Sequence, residues 1–189
     1  VLTTIGQGTN AAVISNIEGM GTNLLSVTVR ARRNNPVTLK TLKALAEEDE
    51  SIAYAAPILT TSGTVKAGLI QYEDGTLIAT TAGYEKIRDW TLKYGRFITE
   101  PDVDNRSFVA VVGQEAATEL FGTINAVGQT FSYNGYTFQV VGVLDEIGST
   151  VAGSGDNIMI IPFTLGERLC NSKGISSFYV SASGSESIE

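Results

Sequence analysis

Residues 128–147 read GQTFSYNGYTFQVVGVLDEI, and this stretch decides what kind of fold the chain adopts. Two runs rich in aromatic and β-branched residues flank Asn134-Gly135, a pair that accepts the positive φ angles of a type I′ turn and is the strongest short-range hairpin signal. The segment therefore predicts two antiparallel strands. The start of the chain points elsewhere. In VLTTIGQGTNAAVISNIEGMGTNLLSVTVRARRN (1–34), Gly6, Gly8 and Ala11 match the G-x-G-x-x-G/A template of a dinucleotide loop. Arg30, Arg32 and Arg33, at the end of the strand-like LLSVTV, would suit a 2′-phosphate. A nucleotide-binding sheet needs repeated alternation of strand and helix, however, and only the first third of the chain offers it. The middle is hairpins, so an NADP-binding Rossmann-like enzyme stands as an alternative reading.

Composition narrows the chemistry. A chain of 189 residues that is 43% hydrophobic can bury a core, and a net charge of -7 opposes nucleic-acid binding, which needs clustered Lys and Arg to displace counterions. The chain has no His, which removes Ser-His-Asp and Cys-His nucleophiles and the usual zinc sites. Cys170, the only cysteine, has no internal partner for a disulfide or for metal ligation, and is expected as a buried small hydrophobe. No P-loop and no G-x-S-x-G elbow occurs, and no apolar run reaches the roughly 18 residues of a membrane span. No cofactor and no metal is expected. The chain starts without Met and stops in SGSESIE, which reads as the opening of a helix; both ends suggest a piece excised from a longer polypeptide.

Read along the chain, Leu2, Ile5, Thr9, Ala12, Val13, Ile17 and Met20 recur at three- and four-residue spacings and predict a helix up to the Gly19 and Gly21 stop signal. Thr38 opens a second helix that places Leu39, Leu42, Leu45 and Ala46 on one face. SIAYAAPILTTSGTVKAGLIQY is extended, with Pro57 at an edge or bend, and Asp74-Gly75 is expected to turn it back into TLIATTAG. Helical pieces follow at YEKIRDW and at QEAATELF, the latter closed by Gly122. EPDVDNRS (100–107) collects carboxylates, but Arg106 and Ser107 break the calcium-loop template, which leaves a solvated turn entering a strand. Asp145 and Glu146 are read as a polar pair at a strand end. LLSVTV and SSFYVSAS, at opposite ends of the chain, are expected in one sheet.

Several segments, taken in order, resemble one family: the extracytoplasmic core domain of MacB-type ABC transporter permeases. IGQGTNAAVISNIEGMGTNLLSV is similar to the family's helix leaving the first membrane span, followed by its G-x-N-L-L strand. VTLKTLKALAEEDESIAYAAPILTTSGTV resembles the next helix and strand. YGRFITEPDVDNRSFVAVVGQEAATELFG matches the family's most distinctive stretch, a G-R-F/x-[FI]-[ST]-x-x-D turn, a strand ending in V-[IV]-G and a helix ending L-F-G. VGQTFSYNGYTFQVVGVLDEIGS matches its hairpin, and DNIMIIPFTLGERL its strand and helix.

The resemblance implies an α+β fold of two subdomains. A membrane-proximal α/β (porter-like) part would be formed by both chain ends, residues 1–68 plus 174–189, with an inserted mostly-β part at 69–173. It also implies a non-catalytic domain that transmits ATP-driven motion across the membrane, to export or handle a substrate or to contact partner proteins. The ATPase would be a separate domain or subunit reached through membrane helices, the permease dimeric, and an adaptor protein or a peptide substrate a further partner. The place would be the extracytoplasmic face of a bacterial or archaeal cell membrane. Ile5, Val13, Ile17 and Met20 would be the packing residues of the stalk, in which Gly6 and Gly8 would permit bending. An extracellular adhesin or solute-binding module is the third reading.

Overall fold

The computed structural model describes residues 12–16, 24–30, 37–48, 52–147, 149–150, 153–154, 156–171 and 174–182. The chain divides into two compact units, residues 1–58 with 173–189, and residues 59–172. Strand β3 (Ile52–Ala67) gives its first half to one unit and its second half to the other.

In the first unit, β1 (Ala12–Asn16), β2 (Leu24–Arg30), β12 (Ser177–Ala182) and the start of β3 pair antiparallel in that order. The strands from the two ends of the chain thus share a sheet, as expected, with Phe178 opposite Val27 on one side and Pro57 on the other. Val27, Ala56, Phe178 and Val180 are buried there. Helix α1 (Leu39–Glu48) starts beside Thr38, whose Oγ1 accepts from the Thr41 N–H at 3.4 Å, and buries Leu42. The Ile175 N–H donates to the Val37 carbonyl at 2.7 Å, fixing the lead-in to β12.

One expectation fails in this unit. Residues 12–16, assigned to a helix by their spacing, form β1, and Val13 lies in that strand. The adjacent β-branched Val13 and Ile14 favour a strand once β2 supplies a ladder, from Ala12↔Arg30 to Asn16↔Ser26. Ile5, Ile17 and Met20, like Gly6, Gly8 and Ala11 of the nucleotide template and Arg32 and Arg33, lie outside the described residues. An antiparallel β1–β2 pair is also not the parallel βαβ unit on which dinucleotide binding rests.

The second unit contains a ring of strands. The second half of β3 pairs antiparallel with β4 (Ile70–Thr80), β4 parallel with β11 (Ile158–Pro162), and β11 antiparallel with β6 (Val109–Val112). β6 then runs parallel to β8 (Tyr136–Leu144), β8 pairs antiparallel with β7 (Thr130–Tyr133), and β7 returns to β3 through Val65↔Tyr133 and Lys66↔Ser132. Closure leaves these six strands with few free edges. The core inside includes Val65, Leu77, Ala110, Val112, Phe131, Phe138, Val140, Met159 and Ile161, with Ala116, Ala117 and Leu120 from α4 (Gln114–Phe121) and Leu165 from α5 (Phe163–Leu169). The remaining pieces are α2 (Gly83–Arg88), β5 (Leu92–Gly95) paired with β8, α3 (Glu100–Asp104), and the short ladder of β9 (Ser149–Thr150) with β10 (Gly153–Ser154).

Asn134 and Gly135 make the expected turn, with φ of 49° and 81°, and Gly122 caps α4 at φ 69°. Asp74-Gly75 does not turn the chain: β4 runs through it, and the turn lies at Gly68-Leu69, where Gly68 takes φ 58°. The pairing passes from Gly63↔Gly75 to Val65↔Tyr72, so Glu73 and Asp74 face Thr64 alone, a β-bulge. Gly75 is needed here for space, because a Cβ would sit 2.5 Å from Val65 Cγ2 and 2.8 Å from Met159 Cε. Cys170, expected buried, is half-buried just beyond α5.

Candidate functional site

The segment Gly95-Arg96-Phe97-Ile98-Thr99-Glu100-Pro101-Asp102 is where polar side chains converge most closely. Gly95 ends β5 at φ 73°, and a Cβ on it would meet the Val141 carbonyl oxygen at 2.2 Å. Gly142 answers from β8, since its Cβ would meet the Arg96 carbonyl oxygen at the same 2.2 Å. Only paired glycines let these backbones touch, and the Arg96 N–H then donates to Val141 O at 3.0 Å. Gly142→Ala should therefore destabilise the domain by about 1–3 kcal/mol, read as a lowered melting temperature in calorimetry.

Beyond the glycine, Phe97 and Ile98 are buried, and Arg96 is turned to Asp102. Arg96 Nη1 donates to Asp102 Oδ2 at 2.6 Å and Nη2 to Oδ1 at 3.2 Å, a bidentate fork, while Nη1 also donates to Phe97 O at 3.0 Å. The Thr99 N–H and Oγ1 donate to the same Oδ2 at 2.9 and 2.6 Å, so Thr99 is the N-cap of α3 and Asp102, at the third helical position, is its reciprocal partner in a capping box. Burial alone would raise the Asp102 pKa, but the hydrogen bonds from Arg96 and Thr99 outweigh it and hold the carboxyl below its usual value. The Asp102 bond raises the Arg96 pKa in turn. Thr164 Oγ1, from α5, donates to Val103 O at 2.6 Å and ties the clamp to the next helix.

EPDVDNRS is thus not the solvated turn expected. It is a helix whose central carboxylate is buried and whose outer ones, Glu100 and Asp104, face solvent. A signal for this was present in Thr99-x-x-Asp102 with Pro101 in the first turn, the pattern of a capped helix start.

Two smaller networks lie in the same unit as the clamp. Asp145 Oδ1 accepts from Lys93 Nζ at 3.5 Å, Gln114 Nε2 at 3.2 Å and the Glu146 N–H at 2.9 Å. The backbone bond from Glu146 is the main reason its pKa is lowered. Asn157 Nδ2 donates to the Tyr72 hydroxyl. Burial, with Glu119 and Glu115 nearby, raises the Tyr72 pKa against that bond. Among the described residues no three His, Cys, Asp or Glu side chains gather as metal ligands, and no helix is long and apolar enough to cross a membrane. The converging groups bind one another, an arrangement suited to holding backbone segments in place.

The other distinctive glycine of the long segment behaves alike. Gly113 lies against Asp156, whose carbonyl oxygen would be 2.1 Å from a Cβ, and the Ala116 N–H of α4 donates to that oxygen at 3.3 Å. The whole of residues 1–189 matches the family model described as the MacB-like periplasmic core domain. The chain belongs to this family.

Its relatives include the macrolide export ATP-binding/permease protein MacB of Azoarcus sp., 36% identical over 169 residues, covering 86% of this chain and 26% of that protein. The MacB protein of Wolinella succinogenes is 30% identical over 174 residues, covering 88% and 27%. The chain spans about a quarter of the length of these relatives. Among solved structures, the periplasmic region of MacB from Actinobacillus actinomycetemcomitans superposes with a TM-score of 0.72 at 22% identity, covering 89% of this chain and 78% of that one. The extracellular domain of the noncanonic ABC-type transporter YknZ from Gram-positive bacteria gives 0.68 at 21% identity, covering 81% and 76%. These likenesses support the mixed α/β fold. In the MacB-like chain, the G-R-F-I-T-x-x-D pattern is accounted for as fold-specifying: close backbone approach, ion pair, helix cap.

Proposed function

We propose that this domain works as the extracytoplasmic part of an ABC transporter permease, passing motion driven by ATP hydrolysis elsewhere in the parent protein to a substrate or partner. Its own role is mechanical and recognitional, without catalysis. The observation that carries the reading is the match of the whole chain to the family model, together with a clamp that ties β8 through the Arg96 N–H, α3 through the Arg96–Asp102 pair and α5 through Thr164. In the parent protein, the ends of the chain would lead to membrane helices, with a dimeric permease and an ATPase domain or subunit beyond them. Export of a substrate and contact with an adaptor protein are the activities this arrangement would serve. Residues 1–68 with 174–189 would form the membrane-proximal subdomain and 69–173 the inserted one. Any stalk helix would have to stop before Ala12, because β1 begins there. Ile5, Ile17 and Met20 would be packing residues of the stalk, whereas Val13 lies in β1.

Replacing residues 12–182 of the parent transporter by a flexible linker should leave ATP hydrolysis measurable and abolish transport. Transport at the original rate in that variant would refute the proposal. The chain by itself should show no saturable binding of NADP in calorimetry; saturable binding would restore the nucleotide reading.

A further inference from the structure

We infer that the end of the second unit around the β3–β4 turn is a docking surface for a partner-protein segment that presents an apolar run flanked by lysine or arginine. This rests on the reading of the chain as a domain that meets partners, and names the place and the chemistry of one contact.

Seven large hydrophobic residues are exposed among those described, and four of them, Leu69, Ile70, Ile124 and Val127, belong to this end. Two independent features bring them together. β7 lies antiparallel to β3 with Val65↔Tyr133 and Lys66↔Ser132, so continuing the register carries the Gly68-Leu69 turn toward Thr130 and the loop before it, which holds Ile124 and Val127. Tyr72, two residues beyond Ile70, sits within reach of Glu119 on α4, and α4 ends at Gly122, where that loop begins. Leu69 is 105% exposed, in a two-residue turn where a polar residue or glycine would serve the backbone equally well. Exposed apolar side chains gathered in this way mark an interaction site, whereas scattered ones do not.

Charge selects the occupant. Glu115 and Glu119 of α4 stand near Tyr72, which shares its face of β4 with Ile70, while Lys66, Gln71 and Glu73 lie on the other face, in a chain of net charge -7. A second copy would bring the same carboxylates face to face, a like-charge arrangement that disfavours association. A cationic rim around an apolar plug satisfies both features.

The test uses three short synthetic helices: one of leucine and lysine, one of leucine and glutamate, and one of serine and lysine. The leucine–lysine probe should bind the chain saturably and more weakly as salt rises. The paired change Leu69→Ser, Val127→Ser, at exposed positions that leave the core intact, should weaken it about tenfold or more, while Tyr94→Ser on β5 should not. Equal binding of either control helix, no binding, or unchanged binding by the paired variant would overturn the inference. So would concentration-dependent dimerisation of the unliganded chain that the paired variant abolishes, which would make a second copy the occupant. None of these failures touches the transport role, which the linker replacement tests separately.

Discussion

Phe138→Ala should lower the stability of the domain by about 3–5 kcal/mol, the largest loss expected from any single change considered. Phe138 is fully buried on β8, faces Phe131 across the β7–β8 ladder with rings stacked at 5.4 Å, and meets Phe108 at 5.7 Å. β7 is the strand that returns the ring to β3, so the truncation opens a void where closure depends on packing. Urea unfolding followed by the fluorescence of Trp90, the only tryptophan, reports on this unit, because Trp90 packs edge-on against Tyr84 at 5.2 Å. Phe108→Ala removes a ring that is 37% exposed and stacks on Tyr136, and should cost only about 1 kcal/mol. Equal losses at the two positions would show that the ring interior does not govern stability.

Asp102→Ala should cost about 3 kcal/mol, at the low end for removing one partner of a buried ion pair, because the Arg96 side chain left behind is 49% exposed and can be hydrated. The change also strips the Thr99 N–H and hydroxyl of their acceptor and removes the Asp102 half of the α3 capping box, leaving the Thr99 N-cap. The pH dependence follows from the direction of the shift. A carboxyl held below 3.8 in the folded state contributes fully above that value, and its contribution is lost as pH falls through the lower folded pKa. The stability gap between the parent chain and Asp102→Asn should therefore be constant near neutral pH and narrow on acidification below about pH 4. A gap that does not change down to the acid transition would mean that the Asp102 charge contributes nothing.

Signals confined to a few neighbouring residues were legible without the fold. The Asn134-Gly135 hairpin and the Gly122 cap both depend on backbone conformations that particular residues tolerate locally. Asp74-Gly75 carries the same kind of signal and misleads, because the register between β3 and β4 absorbs it as a bulge and moves the turn to Gly68. The helix over residues 12–16 failed for a related reason: Ala12, Val13 and Ile17 satisfy a helical spacing, but pairing with β2 decides the outcome. Thr99-x-x-Asp102 was readable as a helix start, yet its burial depends on Arg96, which the Gly95 and Gly142 contact brings into position.

By itself the sequence excluded histidine chemistry and located the main hairpin, and its ordered motifs pointed to the MacB-like family, since these depend on residue identity and short-range stereochemistry. Only the tertiary structure decided that β2 and β12 from opposite ends of the chain share a sheet, as had been expected but not shown, that β7 closes a ring onto β3, and that Asp102 is buried in a clamp. Strand pairing and ion-pair burial join residues far apart in the chain. Their free energy depends on the partner each segment finds, so local propensity cannot specify them.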